Sequence, residues 1–456
     1  MSLQGRRVVY RKIERPAYKM IDEMPEIPSC VYAERLKRLQ EKLQEKELDE
    51  AIIYADREHM QNLDYIFGID IWFEEALGIV FADGDCCLIL GNECMPLAIY
   101  SKVPTRSLHC PVLSLPGQPQ EGMGVKECLE KAGVGEKHRV GCIGWKQFGD
   151  VRELDFPGFI IDALTEVTGD RKYLKNATGV MTDPRNGLRN FVEPEQAAVY
   201  EFAATNVSAG MLDALDALDE NATEFDIAKY MNPRGLPLSC HTNVSSGIRT
   251  RTGLVSPSGK RIQKGDPVTL CWAMRGALSC RSGYAVHNAE ELPDPSRDYM
   301  DKIAKPYFRA AAAWYERIGI GVCGGEMYGL IQSVFPKEQY GWYLNPGHNL
   351  GTEEWLNSSI FEHSDIKFRS GQMVQLDIIP EARNGYASSN IEDGILIADD
   401  KLRGQLSKKY PEMWKRIQRR KNFMREVLGI YLKEEILPLY DTQGILNPYM
   451  LNRGYA

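Results

Sequence analysis

The sequence lacks the features that would place the protein in a membrane or outside the cell. No run of about 18 apolar residues, the minimum for a transmembrane helix, occurs in it. Residues 1–20 contain no apolar segment of the kind found in signal peptides, so we expect none. The 11 cysteines are odd in number and never stand in CxxC spacing, which argues against a disulfide framework or a zinc ribbon. We therefore expect a cytoplasmic protein whose thiols are reduced.

A strong excess of one charge is also missing. The formal net charge is −8, and this mild acidity argues against nucleic acid or an anionic membrane as a partner. The chain shows no internal repeat and no low-complexity tract. Its composition is typical of a soluble globular protein, with 43% hydrophobic and 26% charged residues. A length of 456 residues leaves room for about two to three domains.

The first part of the chain predicts an arm followed by a small α/β domain. Residues 1–29 are polar and interrupted by proline, which favours an extended arm. Leucines at helical spacing indicate a helix that is clear from about Ala33. Short apolar runs predict strands at 51–55, 77–83 and 86–92, the last two joined by a turn at Gly84-Asp85. We assign this domain to residues 30–188.

The second part, residues 189–456, predicts a larger α+β domain with a helical extension. Glu193-Pro194 opens a long helix, because proline is well tolerated in a first helical turn. Thr223 begins a predicted capping box for the next helix. Apolar, β-rich runs predict strands at 267–274, 372–379 and 390–398. The basic stretch 403–433 is expected to be helical with a solvated face.

Four short segments of the second part follow one another in an informative order. They are KGDPVTLC at 264–271, NPGH at 345–348, GQMVQLD at 371–377 and NIEDGILI at 390–397. In order and spacing they resemble the pita-bread family of creatinases, aminopeptidases P, prolidases and methionine aminopeptidases. The resemblance covers residues 190–400 and extends more loosely to YIFGIDIWFEE at 65–75. It implies an α+β fold, with a pita-bread C-terminal domain and a smaller creatinase-type α/β N-terminal domain.

In the peptidases of this family, two metal ions are held by Asp, Asp, His, Glu and Glu. Two adjacent divalent cations need bridging carboxylates that offset their repulsion and position a hydroxide. The resemblance places the five ligands at Cys271, Ser282, His348, Asp377 and Glu392. Because Cys and Ser stand at the two aspartate positions, we expect no two-metal centre and no required metal cofactor. A single ion on Cys271, His348, Asp377 and Glu392 stays open, since a thiolate favours zinc.

Two histidines of the family are also replaced. Their positions fall on Leu254 and Trp355. Creatinase, the metal-free branch, uses the first of them as its acid and base, so the chain is not a plain creatinase. His241, in a loop segment after Ser239-Cys240, is a candidate replacement, with ordinary loop polarity as the alternative.

Alternation along the predicted strands indicates a polar pocket. Gln375 and Asp377 share one strand face, and Asn390 shares another with Glu392. Together with His348 from a Pro-Gly turn, these faces would line one site. A histidine beside two carboxylates is a workable general acid/base set, and the carboxylates could also bind a guanidinium or an amine. We assign His348, Asp377 and Glu392 as catalytic, with a buried structural ion pair as the alternative.

Further residues are assigned to substrate binding, namely Cys271, Ser282, Tyr284, His241, Trp355, Asp70, Trp72 and Glu74. For Cys271, packing of a small buried side chain in a strand is the alternative. The resemblance implies a homodimer in which the segment at 70–74 reaches the site of the other subunit. An acidic and aromatic cluster there can recognise a cation, while an exposed acidic loop is the alternative.

Three functions follow from the resemblance and from these replacements. The first is a metal-independent, creatinase-like hydrolase or lyase acting on a small guanidino, amine or betaine-like compound at His348, Asp377 and Glu392. The second is a divergent metallopeptidase of the Xaa-Pro aminopeptidase or prolidase type. The third is a pseudoenzyme that binds a ligand without turnover. In each case we expect a small-molecule ligand and a second copy of the chain as partners.

Overall fold

The computed structural model describes residues 6–381 and 386–456. These residues divide into two compact units, one formed by residues 27–190 and the other by residues 6–26 together with 191–456. In the described part of the chain, no helix is long and apolar enough to cross a membrane.

The smaller unit is built on a mixed six-stranded sheet. Its elements in chain order are α1 (Ser29–Glu45), β1 (Glu50–Ala55), α2 (Gln61–Phe67), β2 (Ala76–Phe81), β3 (Cys86–Leu90), β4 (Arg106–His109), α3 (Val125–Ala132), β5 (Val140–Ile143), α4 (Gly158–Thr168), β6 (Leu174–Asn176) and α5 (Gly179–Thr182). The strand order is β4-β3-β2-β1-β5-β6. The pairs β1–β2 and β2–β3 are antiparallel, and the other three pairs are parallel.

The central strand β1 explains why this sheet has an apolar layer on each side. Its residues are all buried, and alternate side chains enter different clusters. Ile53 packs with α1 and α2, whereas Ile52 packs with α3 and α4. Period-two alternation of an uninterrupted apolar strand produces this arrangement. The predicted hairpin around Gly84-Asp85 is confirmed by the antiparallel pairing of β2 with β3.

The larger unit contains two antiparallel four-stranded sheets and the remaining helices. Its elements are α6 (Pro194–Ala217), α7 (Glu224–Ala228), β7 (Leu238–Ser246), β8 (Pro267–Met274), β9 (Ala277–Tyr284), α8 (Lys305–Arg317), α9 (Gly324–Val334), α10 (Lys337–Tyr340), β10 (His348–Asn349), β11 (Met373–Gln375), β12 (Asn390–Glu392), β13 (Gly394–Ile397), α11 (Asp400–Lys409), α12 (Pro411–Glu426) and β14 (Ile436–Pro438). One sheet has the order β12-β9-β8-β7 and the other has the order β10-β11-β13-β14.

The sequence predicts a single strand at 390–398. The structure has two strands there, so this prediction is wrong. The first strand, β12, pairs with β9, and the second, β13, pairs with β11 and β14. The chain passes from one sheet to the other at Asp393, whose carboxylate is fully buried. This crossing brings the faces of the two sheets together at one place.

Helix ends in this unit follow the sequence signals. The long helix α6 has proline in its first turn, as predicted. The capping box at α7 is confirmed, because the Thr223 hydroxyl accepts from the Asp226 amide at 3.1 Å and the Asp226 carboxylate accepts from the Thr223 amide at 3.0 Å.

The basic stretch at 403–433 forms most of α11 and all of α12, but it is not simply a solvated face. Arg420 is 1% exposed and donates to the buried carboxylates of Glu201 and Asp441 at 2.6 and 2.9 Å. A buried guanidinium needs such partners because its desolvation is otherwise uncompensated. The expectation of solvent exposure is therefore wrong for this arginine.

The N-terminal arm packs on the larger unit. From residue 6 to residue 28 it contains neither helix nor strand, apart from an isolated bridge between Lys12 and Tyr455. Ile13 is buried against α12. Arg15 pairs with Asp216 at 2.5 Å.

Candidate functional site

One face of the sheet β12-β9-β8-β7 carries two rows of polar or sulfur-containing side chains. Residues directly opposite each other on adjacent strands point to the same face. One row consists of Glu392, Cys280, Cys271 and Asn243, and the other of Asn390, Ser282, Thr269 and Ser245. These rows bring residues that lie up to about 150 positions apart in the sequence into one layer.

The two faces of this sheet differ in their access to solvent. Glu392, Cys280 and Cys271 retain 4–6% exposure, whereas Arg281, Ile391 and other residues that alternate with them are 0% exposed. The polar rows therefore border a region, the polar space, from which water is largely but not wholly excluded. The opposite face belongs to the core of the unit.

On the core side, the charge of Asp393 is neutralised within the protein. Its carboxylate forms an ion pair with Arg281 and accepts from the hydroxyls of Ser279 at 2.7 Å and Thr442 at 3.0 Å. The two neighbouring carboxylates, Glu392 in β12 and Asp393 just after it, therefore lie in different surroundings. Asp393 is satisfied in the core, and Glu392 faces the polar space.

The second sheet contributes His348 and Asp377. His348 in β10 lies opposite Gln375 in β11, and Asp377 follows two residues later. The turn before His348 requires glycine, because Gly347 has φ of 136° and an added Cβ would lie 2.7 Å from the Gln375 carbonyl. The Pro-Gly turn noted in the sequence therefore places the histidine at the junction of the two sheets.

His348, Asp377 and Glu392 come together as predicted. The Nε2 atom of His348 lies 4.0 Å from Oε1 of Glu392, and one ligand-type atom from each of the three lies within 4.8 Å of the others. The other ring nitrogen, Nδ1, is 3.3 Å from the carbonyl of Asn349. If Nδ1 carries the proton for that contact, Nε2 presents its lone pair to the carboxylates.

The imidazole is held in place by Trp355. The two rings stack with centroids 4.2 Å apart and an interplanar angle of 16°. The indole is 36% exposed, so it forms a partly open wall of the site. The resemblance to the pita-bread family puts a replaced histidine at this position, and in the structure its place is taken by an aromatic ring that stacks on His348.

Several buried polar atoms of this site have no hydrogen-bond partner among the described residues. They are Nε2 of His348, Oδ1 of Asp377, Oδ1 of Asn390 and Oε1 of Gln375. Leaving a buried polar atom unsatisfied costs about 1–3 kcal/mol. His348 and Asp377 of the trio therefore keep hydrogen-bonding capacity that the described residues do not use.

Burial shifts the protonation equilibria of the three residues in favour of their neutral forms. It raises the pKa of Asp377 well above its usual range, and the neighbouring charge of Glu392 adds to this effect. Burial also raises the pKa of Glu392 to about 7, although a hydrogen bond from Asn390 acts to lower it. It lowers the pKa of His348. At neutral pH the histidine is therefore an uncharged base, and the carboxyl pair is not fully ionised.

Cys271 is joined to Cys280 by a disulfide. The hairpin of β8 and β9, closed by the two-residue turn Arg275-Gly276, places these residues opposite each other with Cα atoms 4.2 Å apart. The expectation that all thiols are reduced is therefore wrong for this pair. With its sulfur in a disulfide, Cys271 offers no thiolate to a substrate or a metal ion. The other nine cysteines, all in the described part of the chain, are free.

The donor set does not fit a two-metal centre. Ser282 offers only a neutral hydroxyl, which lies 3.1 Å from the hydroxyl of Thr269, and Cys271 is oxidised. Two cations would thus face one histidine and two carboxylates, with no bridging aspartate to offset their repulsion. The remaining trio of His348, Asp377 and Glu392 has the number and spacing of donors that one divalent cation would accept.

His241 lies beside the position of the other replaced histidine. It sits in an irregular part of β7 and its Nε2 is 3.3 Å from the carbonyl of Leu254. The preceding thiol, Cys240, is near the site, since burial and the charges of Glu354 and Glu392 raise its pKa to about 12. The irregular segment of β7 therefore borders the polar space, and His241 itself is exposed.

Tyr284 supports the backbone near the site. Its hydroxyl lies 2.9 Å from Oγ of Ser296 and accepts from the amide of Ala387 at 2.6 Å. The ring is 2% exposed and packs edge-on against Tyr299. These contacts anchor the segment that leads into β12, which is a structural role.

The other three predicted binding residues lie in the smaller unit. The Asp70 carboxylate accepts from the amide of Trp72 at 3.1 Å, and the Trp72 side chain is 38% exposed. Glu74 is 2% exposed, and its Oε2 accepts from the amides of Glu93 and Cys94 at 2.9 and 2.8 Å. The alternative of an exposed acidic loop is therefore wrong for Glu74, whose carboxylate holds a neighbouring loop.

Four residues of the polar rows were missed by sequence reasoning, namely Cys280, Asn243, Thr269 and Ser245. The pairing of Cys271 with Cys280 had a signal, since both lie at the same distance from the turn Arg275-Gly276 and a two-residue hairpin must place them opposite each other. Asn243 had no such signal. Two register shifts in β7 change which residues of β7 and β8 lie opposite each other, so its partner cannot be found by counting from the ends of the strands.

Comparison with solved structures identifies the architecture. The chain is similar to a prolidase from Pyrococcus horikoshii OT3, with 18% identity, 80% of this chain and 95% of that chain covered, and a TM-score of 0.63. An Xaa-Pro dipeptidase from Bacillus anthracis matches with 17% identity, coverage of 81% and 96%, and a TM-score of 0.63. An X-Pro aminopeptidase from Thermotoga maritima MSB8 matches with 15% identity, coverage of 80% and 95%, and a TM-score of 0.61.

These similarities confirm the predicted α+β fold with a pita-bread domain. No family model matches the chain, and no curated protein matches it.

Proposed function

We propose that this protein is a hydrolase or lyase with the pita-bread fold that works without a two-metal centre. Its substrate is a small cationic nitrogen compound of the guanidino, amine or betaine-like class. The observation that carries the proposal is the buried cluster of His348, Asp377 and Glu392, whose ligand-type atoms lie within 4.8 Å of one another. Nε2 of His348 and Oδ1 of Asp377 have no hydrogen-bond partner among the described residues. The solved structures with this fold include prolidases and aminopeptidases, which supports a hydrolase.

In this proposal His348 moves the proton. Its lowered pKa keeps the imidazole neutral at physiological pH, so Nε2 can take a proton from water or from the substrate. Stacking on Trp355 at 4.2 Å fixes the plane of the ring during this transfer. The same nitrogen then returns the proton to the leaving group.

The two carboxyl groups bind and polarise the substrate. A guanidinium or ammonium ion entering the space would favour ionisation of Asp377 and Glu392, because an opposite charge nearby lowers a carboxyl pKa. The cation gains charge-assisted hydrogen bonds in return. The amide oxygens of Asn390 and Gln375, which have no hydrogen-bond partner in the described part of the chain, can accept further N–H groups of the substrate.

A direct test is a substrate screen with the purified full-length protein. Guanidino compounds, amines and betaines are incubated with the protein, and products are followed by mass spectrometry with and without a chelator. We expect turnover that survives chelation. Replacement His348→Gln should lower kcat by about 10²-fold or more, the typical contribution of a general acid/base. The matched control His363→Gln changes a side chain that is 91% exposed and should leave kcat unchanged. Activity that disappears with the chelator and returns with metal would contradict metal independence.

A second candidate function is a hydrolase with a single divalent ion, of the metallopeptidase type. It is favoured by one observation, the three donor atoms of His348, Asp377 and Glu392 within 4.8 Å of one another. Metal analysis of the active preparation separates the two candidates. About one bound ion per chain, required for activity, supports the second, and active protein with no bound ion supports the first.

We also propose that the protein acts as a homodimer. The smaller unit exposes the neighbouring aromatic residues Trp72 and Phe73, at 38% and 61%, and apolar side chains of this size favour an interface. Light scattering coupled to size-exclusion chromatography measures the mass directly. A mass near 52 kDa, that of one chain, would contradict the dimer.

A further inference from the structure

We propose that a cavity in the larger unit binds a straight-chain alkyl carboxylate of about eight to ten carbons. The cavity has a volume of about 310 Å³ and lies between the N-terminal arm, α8 and the turn that follows α12. Small-molecule sites in proteins have volumes of about 300 Å³ or more. None of its lining residues belongs to the candidate functional site, so the inference goes beyond the proposed function and does not depend on it.

The wall formed by α8 carries an apolar strip beside a cationic strip. Ala304, Phe308 and Ala312 are four positions apart and therefore lie on one face of the helix. Lys305 and Arg309 each lie one position further along and form the adjacent strip. Because two of the three apolar residues are alanine, the strip leaves room that larger side chains would fill. Both alanines are buried, at 1% and 5% exposure, so they form part of the floor.

The helix is also irregular at this wall. Met300–Ala304 form a π-helical turn directly before α8, and the first and last residues of that turn line the cavity. Turns of this kind are rare and occur frequently at functional sites. The irregularity is independent of the charges around the cavity and points to the same place.

The N-terminal arm forms another wall of the cavity. Nη1 of Arg6 donates to the carbonyl of Gly429 at 2.7 Å, and Nη2 of Arg11 donates to the carbonyl of Val427 at 2.8 Å. These two hydrogen bonds tie the arm to the turn after α12 at positions before and after Val9. Val9 lines the cavity and is 53% exposed, so a ligand would cover apolar surface that otherwise contacts water.

Cations outnumber carboxylates around the cavity. The positively charged residues of the lining are Arg6, Arg7, Arg11, Lys305, Arg309 and Arg425. Three of them form ion pairs, namely Arg6 with Glu316 at 2.5 Å, Lys305 with Asp301 at 2.5 Å and Arg425 with Glu426 at 2.8 Å. Arg7, Arg11 and Arg309 have no carboxylate partner in the part of the chain that the structure describes. Even if the main-chain carboxylate of Ala456 offsets one charge, the cavity keeps a positive potential that attracts an anion.

The rest of the lining selects the body of that anion. Apart from the charged side chains, the described lining residues are apolar, glycine or tyrosine, and none is Ser, Thr, Asn, Gln or His. A sugar or another polyol would lose hydrogen bonds with water and find few partners there, whereas an alkyl chain gains free energy by leaving water. Its carboxylate can accept bidentate N–H bonds from an arginine of the rim. A volume of 310 Å³ holds about ten groups the size of a water molecule, which limits the chain to about eight to ten carbons.

Isothermal titration calorimetry of the full-length protein at low ionic strength tests the proposal. Hexanoate, octanoate, decanoate and dodecanoate are titrated separately, with octanol and inorganic phosphate as controls. We expect one carboxylate per chain, with a Kd that falls about three- to fourfold for each added methylene and levels off beyond decanoate. Octanol or phosphate binding as tightly as octanoate, or no binding of octanoate and decanoate, would refute the proposal. A protein that co-sediments with phosphatidylglycerol vesicles but binds no octanoate would refute it in favour of a membrane surface.

Variants at exposed positions locate the ligand. Arg309→Gln removes a cation of the rim and should weaken octanoate binding about tenfold, the contribution of a hydrogen bond to a charged group. Val9→Glu places a carboxylate in the cavity and should abolish binding. The matched control Lys12→Gln removes an exposed cation of the same arm that does not line the cavity, and octanoate binding should be unchanged.

The variant His348→Gln distinguishes this cavity from the candidate functional site, because octanoate binding should be unchanged in it as well. Wild-type affinity in Val9→Glu would place the ligand elsewhere and overturn the assignment. The chain-length series with the wild-type protein stays decisive if a variant does not fold.

Discussion

Two adjacent carboxylates allow the role of this site to be tested by stability as well as by activity. Glu392 and Asp393 are both buried, at 5% and 0% exposure. Glu392 faces the polar space, whereas Asp393 is paired with Arg281 in the core. Replacing each by its amide, Glu392→Gln and Asp393→Asn, should therefore change stability in opposite directions.

The size of the first effect follows from the pKa of Glu392. Burial raises that pKa from 4.5 to about 7, so the folded protein holds this proton more tightly than the unfolded chain. The associated stability is fully present below pH 4.5 and is lost as the pH rises through about 7. At about 1.4 kcal/mol per pH unit, the loss amounts to about 3 kcal/mol by pH 8. A glutamine cannot ionise, so the Glu392→Gln variant should avoid this loss.

The second effect follows from a buried arginine that would lose its partner. Asp393→Asn leaves the Arg281 guanidinium, with a side chain that is 1% exposed, without a counter-charge. Breaking a buried ion pair in this way costs about 3–5 kcal/mol. For a unit of this size, each kcal/mol lowers the melting temperature by about 2–4 °C, so a fall of about 6 °C or more is expected.

The assay is urea unfolding followed by tryptophan fluorescence, in the presence of a chelator, at several pH values between 5 and 8. The stability gap between Glu392→Gln and wild type should be small at pH 5, grow towards pH 7.5 and then level off. The same variant should lose activity. A Glu392→Gln protein that is less stable than wild type at pH 8 would refute the view that burial makes the ionised form of this carboxylate unfavourable.

Three further predictions rest on separate contacts. Trp355→Ala removes the ring that stacks on His348 and should lower kcat about two- to tenfold with little change in KM, the range expected from the energy of an aromatic pair. Arg420→Met leaves two buried carboxylates short of a partner and should destabilise the protein by about 3–5 kcal/mol, measured by urea unfolding. Thr223→Ala removes the acceptor of the Asp226 amide and should cost about 0.5–2 kcal/mol in the same assay, whereas Thr223→Ser should cost less.

Local signals in the sequence were reliable where the structure depends on near neighbours. The helix start at Pro194, the capping box at Thr223 and the hairpin at Gly84-Asp85 were all predictable. Each involves residues within a few positions of one another, and their backbone preferences do not depend on the rest of the fold.

Predictions that required a strand to stay in one sheet were less successful. The segment 390–398 reads as one apolar strand, but the chain leaves the first sheet at Asp393 and joins the second. The partner of Asp393 is Arg281, more than 100 positions earlier. No local sequence pattern predicts that Asp393 pairs with Arg281. A buried carboxylate implies that a partner exists, but it does not indicate which residue the partner is.

The order of four motifs was sufficient to predict the pita-bread fold and to select His348, Asp377 and Glu392, since period-two alternation sets which strand residues share a face. Only the tertiary structure decided what surrounds that trio. It placed the Cys271–Cys280 disulfide beside Glu392 and an indole against His348. The reason is physical: alternation along a strand is a local property, whereas the register between strands, and hence the neighbours across a sheet, is set by packing of the whole domain.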